Sequence, residues 1–166
     1  LQLYSHPADG DDSRPIVFRP FRGLLAFHPE HQRFFFGRER EVSEIERDLQ
    51  ALIAGNRPRL LIIAGASGSG KSSLVLAGAV PRLCAPARNS TPLQFKRLRA
   101  GDITGLASLT SARTGSEEVL VVCDQFEELF THIKDVVERQ AWVLELWRLC
   151  SDAKSGVSVL LTMRVD

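Results

Sequence analysis

The residues best suited to chemistry stand together in one stretch, Gly65-Ala66-Ser67-Gly68-Ser69-Gly70-Lys71-Ser72-Ser73. Gly65, Gly70, Lys71 and Ser72 occupy the fixed places of G-x-x-x-x-G-K-[ST]. Glycine carries no Cβ, so such a loop curls tightly and turns its backbone N–H groups toward an anion. A helix starting near Lys71 adds unpaired amides and the positive end of its dipole. Lys71 then reaches the β- and γ-phosphates of a nucleotide, and the Ser72 hydroxyl is a ligand for Mg²⁺. An ordinary Gly/Ser-rich turn is the competing reading. The context favours the phosphate loop, because the motif follows the apolar run Leu60–Ala64 and precedes a helix-like segment.

A phosphate loop needs a second metal-side group, and Asp124 supplies one. It closes the apolar run Val119–Cys123, which is the Walker-B arrangement of a carboxylate at the C-terminal edge of a strand. Glu127 and Glu128 follow, and either is long enough to orient a water toward a γ-phosphate. The rival structural role is a capping box, with Asp124 at N-cap and Glu127 at N3 of the next helix. Arg164 ends another apolar run, Val159–Met163, where it is placed to meet γ-phosphate charge; a solvated strand-end arginine is the alternative. Lys96-Arg97-Leu98-Arg99 reads as a solvated strand face. Histidines 6, 28, 31 and 132 show no metal-ligand spacing.

These groups must be positioned by alternating strands and helices. The runs Leu60–Ala64, Leu93–Leu98, Glu118–Cys123 and Val157–Met163 read as strands, the first buried on both faces. A helix is expected from Arg38, with Val42, Ile45, Leu49, Leu52 and Ile53 on its apolar face and a stop at Gly55 and Pro58. The phosphate loop should open a helix over Lys71–Val80 that ends near Pro81, and Ile103–Leu109 a short one. Phe126–Cys150 reads as a long helix or helical pair, with Phe126, Leu129, Phe130, Ile133, Val137, Leu144 and Trp147 on one face. The alternation predicts an α/β fold of three layers, α/β/α, around a mostly parallel sheet.

With 166 residues the chain has the size of one domain, and 44% apolar with 25% charged residues is ordinary for a soluble globular protein. A net charge of +1 exerts no pull toward nucleic acid or an acidic membrane. No apolar run reaches the length of a membrane span, and three scattered cysteines without a C-x-x-C suit reduced thiols, so a cytoplasmic setting is expected. Residues 1–19, with Pro7, Gly10 and Pro15, read as a linker from an upstream domain, and residues 20–166 as the nucleotide domain. The chain starts without Met and stops at Asp166 just after a strand-like run, which is expected of the front portion of something longer.

Taken together, Phe21-Arg22-Gly23-Leu24, Phe35-Phe36-Gly37-Arg38-Glu39, the phosphate loop, Asp124-Gln125-Phe126-Glu127-Glu128-Leu129-Phe130 and Thr162-Met163-Arg164 resemble the STAND class of P-loop NTPases. They are most similar to its novel-STAND branch. The resemblance implies that Gly37 and Arg38 lie against adenine and ribose, and that Arg164 is a first sensor of the γ-phosphate. It implies ATP/ADP and Mg²⁺ as cofactors, self-association through this domain, an upstream effector and downstream sensor repeats. On that reading the chain is an ATP-driven switch in signalling or defence, and an ATPase. Gln125 departs from the acid that many related ATPases place after the Walker-B Asp. That departure keeps a nucleotide-holding, non-catalytic module as an alternative. A small-molecule kinase is the third reading, without an evident acceptor pocket.

Overall fold

A computed structural model of the chain describes residues 25–85, 93–111 and 118–166. The expected linker 1–19, the segment 20–24 and residues 86–92 of the loop after Cys84 lie outside the described residues.

Four parallel strands form one sheet: β1 (Leu60–Gly65), β2 (Gln94–Leu98), β3 (Val119–Cys123) and β4 (Val157–Arg164), in the order β1-β4-β3-β2. The period-two alternation of a strand divides the core between its two faces. Leu120, Val122 and Leu160 point to one side, where they meet helix α1 (Glu39–Ala54) and the helix that follows the phosphate loop. Val119, Val121, Val157, Val159 and Leu161 point to the other, beneath α4 (Ile103–Ser111) and α6 (Val136–Ser151). The result is the expected three-layer α/β/α arrangement. Among the described residues no helix is long and apolar enough to cross a membrane.

Helix α1 buries Val42, Ile45 and Leu49 as its spacing predicts, and Gly55 follows its end. The first strand departs from expectation. β3 is buried at every residue, but β1 is the outer strand and Ile62 is 49% exposed. Leu61 and Ile63 pack with the α1 side, whereas on the opposite face only Leu60 joins the core. An unbroken apolar run therefore marks here a strand covered fully on one face only.

The helix after the loop also runs further than its sequence implies. It begins as α2 (Lys71–Ser73), widens into a π-helical stretch (Leu74–Ala79) and continues as α3 (Val80–Leu83), so Pro81 lies within it and not at its end. In the wide turn Val80 N–H bonds Val75 O, one residue beyond α spacing. Pro81 is the second residue of α3, directly after the wide turn, and supplies no N–H to the ladder there.

The segment after β3 is a helical pair. A 3-10 turn (Phe126–Glu128) and α5 (Leu129–His132) end at Ile133, and Asp135 starts α6 by accepting from Val137 and Glu138 N–H. That restart resets the helical phase. Leu129 and Ile133 are buried, but Phe130, Val137, Leu144 and Trp147 are exposed. The inward face of α6 is instead Trp142, Leu146, Leu149 and Cys150. Phe126 packs on Trp142 at 6.2 Å between ring centroids, and Trp142 Nε1 donates to Asp102 O at 3.2 Å, which fastens α6 to the start of α4.

Candidate functional site

Strand register decides which residues share the site. β1 pairs with β4 so that Gly65 lies opposite Arg164, and β4 pairs with β3 so that Leu161 lies opposite Cys123. The phosphate loop, Asp124 and Arg164 therefore leave the sheet at the same C-terminal edge, where open parallel sheets bind their ligands.

Within the loop, Gly68 and Gly70 adopt φ of +72° and +78°, a left-handed backbone that glycine alone takes without steric cost. Gly70 is the N-cap residue of α2, and Leu74 N–H bonds its carbonyl at 2.8 Å, so the helix starts directly on the loop. Lys71 Nζ donates to Gly65 O and Ala66 O, both at 2.7 Å. The ammonium is thus folded over the loop, at its mouth. Arg38 Nη1 donates to Ser69 O at 2.9 Å and packs where a Cβ on Gly70 would lie 3.3 Å away. Arg38 braces the loop from behind. Gly37, at φ +84°, donates its N–H to Glu39 and shapes the entry to α1.

Asp124 is the most connected acid of the site. Its side chain is 5% exposed, and Oδ1 accepts from Ser72 Oγ at 2.8 Å and from Thr162 Oγ1 at 2.6 Å. Oδ2 meets Arg97 Nη2 at 3.4 Å. A carboxylate so removed from water needs these donors. The Thr162 hydroxyl in turn accepts the Gln125 N–H at 2.9 Å. That bond holds Gln125 at φ +57°, an unusual conformation for a residue with a side chain.

The capping box expected of Asp124 and Glu127 does not form. Gln125, and not Asp124, precedes the 3-10 turn, and Asp124 is committed to Ser72 and Thr162. Glu127 accepts the Arg164 backbone N–H at 3.2 Å, which turns its carboxylate toward β4. Arg164 Nε reaches Asp166 Oδ1 at 3.3 Å, and the other Asp166 oxygen accepts from Ser67 N–H at 3.2 Å. That backbone donor holds the Asp166 carboxyl below its ordinary pKa.

Several of these groups line a cleft of about 370 Å³; Asp124 touches the lining residues Ser72 and Thr162 but is not itself part of the lining. Of the residues singled out by sequence, Ser67, Gly68, Gly70, Lys71, Ser72, Ser73, Glu127 and Arg164 line it. Gly65, Ala66, Ser69 and Arg38 stand behind it as the loop's own framework, and Gly37 and Glu128 do not line it. Sequence reasoning missed Leu25 and Ala26, which supply an apolar wall, and the roles of Thr162 and Arg97. Thr162 carried one available signal: it is a hydroxyl inside the otherwise apolar run Val159–Met163, two residues before Arg164.

The oxygen donors fit a hard divalent cation. Ser72 Oγ and the Asp124 carboxylate lie side by side, and no group of three or more His, Cys, Asp or Glu forms a complete protein cage among the described residues. Mg²⁺ is bound in this way, through one or two protein oxygens with water and substrate phosphates completing its shell. The neighbouring Cys123 is no competitor. Burial first, and then the Asp124 and Glu128 charges, push its thiol up to about 12, so it stays protonated.

No curated protein matches the chain. Among solved structures the fold is similar to a chain of the E. coli MS115-1 HORMA:CdnC:Trip13 complex, with a TM-score of 0.53 and 17% identity. The match covers 84% of this chain and 61% of that one, and at such identity it speaks to the fold alone. The profile of the family described as Novel STAND NTPase 1 matches residues 20–166, the stretch that carries the loop, Asp124 and Arg164. The chain belongs to the Novel STAND NTPase 1 family.

Proposed function

We propose that this domain binds ATP with Mg²⁺ in the cleft, hydrolyses it, and acts as the switch of a multidomain signalling or defence protein. One observation carries the reading most: Ser72 on the loop's helix and Asp124 at the end of β3 meet at 2.8 Å, beside Lys71 at the mouth of the cleft. Two protein oxygen groups and one ammonium are thereby gathered where the phosphates of a loop-bound nucleotide would arrive.

Each residue then has a task. The loop amides cradle phosphate, and Lys71 exchanges its carbonyl partners for phosphate oxygens. Ser72 and Asp124 would hold Mg²⁺, which would supply neutralisation of phosphate charge. Glu127 lines the cleft and orients a water, and Arg164 supplies positive charge opposite it. Leu25 and Ala26 offer the apolar surface a base requires. Association of ATP-bound copies, which the family resemblance implies, would transmit the state to an effector.

Calorimetric titration of the full-length protein with ATP and Mg²⁺ tests this. Lys71→Ala removes a charged hydrogen-bond donor, so affinity should fall about 10- to 150-fold, the equivalent of roughly 1.5–3 kcal/mol. Asp124→Asn should weaken binding only when Mg²⁺ is present. Equal affinity in wild type and Lys71→Ala would overturn the assignment.

A further inference from the structure

The basic residues of β2 read from sequence as a solvated face, yet one of them enters the site. Arg97, the fourth residue of β2, reaches past the end of β3, and its Nη2 stands 3.4 Å from Asp124 Oδ2. The two oxygens of Asp124 are served differently. Oδ1 holds two hydroxyls, Ser72 and Thr162, that fix its direction. Oδ2 has the Arg97 guanidinium, so this buried carboxylate is already matched with positive charge.

We infer that Arg97 is a built-in stand-in for the metal: it pairs with Asp124 until a divalent cation arrives, and must swing away for that cation to bind. The inference rests on the reading of Ser72 and Asp124 as the metal site. Two cations held by one carboxylate repel, and the low-polarity surroundings of Asp124 strengthen that repulsion. The arginine is also free to leave. Its side chain is 51% exposed, against 5% for Asp124, so a released guanidinium passes directly into water. Among the described residues Asp124 is the acid that pairs with Arg97. The pairing therefore sets a threshold: the metal must displace an internal rival, and Asp124 stays charge-matched whenever the site is without it. Arg97 acts through Asp124 and is a positioning residue.

The test uses Mn²⁺ alone, titrated into the nucleotide-free full-length protein and followed by the electron paramagnetic resonance of free ion. Arg97→Gln should bind Mn²⁺ about fivefold more tightly, the lower end of usual coupling between competing ligands, because the arginine is half exposed. Arg97→Lys should stay near wild type, and Asp124→Asn combined with Arg97→Gln should abolish the gain. The companion experiment is the Mg²⁺ concentration that half-saturates ATP binding, which should fall by a similar factor while ATP affinity in chelator is unchanged. Equal or weaker Mn²⁺ binding by Arg97→Gln overturns the inference. A Mn²⁺ gain in a protein that fails to bind ATP leaves it standing and removes the proposed function instead.

Discussion

Thr162 is the side chain through which the sheet controls the site, and replacing it with valine isolates that role. Thr162→Val preserves shape and removes one hydroxyl that makes two bonds, to Asp124 Oδ1 at 2.6 Å and from Gln125 N–H at 2.9 Å. Thr162 is 1% exposed, so its hydroxyl is largely shielded from water. The bond to the carboxylate is charge-assisted, and stranding the Gln125 amide adds the desolvation of an unpaired donor. Asp124 keeps Ser72 and Arg97, which holds the total near 3 kcal/mol, composed of about 2 from the charged bond and about 1 from the amide. For a domain of this size that corresponds to a melting temperature lower by about 6–12 °C. Thermal unfolding monitored by far-UV circular dichroism reads it directly. Thr162→Ser keeps the hydroxyl and should lose far less, only the buried methyl. In a double-mutant cycle with Asp124→Asn, the two losses should add to more than the loss of the pair, because they share one bond. A Thr162→Val protein as stable as wild type, or as stable as Thr162→Ser, would refute the argument that this hydroxyl holds Asp124 and the turn at Gln125.

Two further outcomes follow from placement. Glu127→Gln should retain ATP binding and slow steady-state turnover at least about tenfold, a barrier change near 1.4 kcal/mol, whereas Glu128→Gln should stay within about twofold, since only Glu127 lines the cleft; loss confined to Glu128→Gln would reverse the roles. Gly78→Ala should lower the unfolding free energy from urea titration by about 1–2 kcal/mol, through a lower midpoint at unchanged slope, because a Cβ there would come 2.6 Å from Val42 Cγ2 and 2.9 Å from Phe35 Cε1, a cost only partly offset by alanine's helix propensity.

Much of this was legible in the chain itself, for identifiable reasons. The conformation of the glycine-rich loop is legible in sequence because its glycines accept φ values of +72° and +78°, so spacing alone carries it. Asp124 and Arg164 were found because each directly follows an apolar run that becomes a strand. Strand and helix periodicity likewise placed Val42, Ile45 and Leu49 inward, since α1 is one uninterrupted helix. The same reasoning failed at α6. Asp135 caps a new helix, and the phase set by Leu129 and Ile133 does not survive the break, so Val137 and Leu144 face outward.

What the sequence determined by itself is therefore local: loop, strand ends, the inward face of α1 and the family they belong to. Only the tertiary structure decided which of these groups meet. The order β1-β4-β3-β2 sets β4 between β1 and β3, and this brings Thr162 beside an Asp124 that lies 38 residues away in the chain. It also sets β2 beside β3, so that Arg97 reaches the same carboxylate. Neither contact has a sequence signature, because a buried carboxylate takes its donors from whichever strands are adjacent, and adjacency is a property of the sheet.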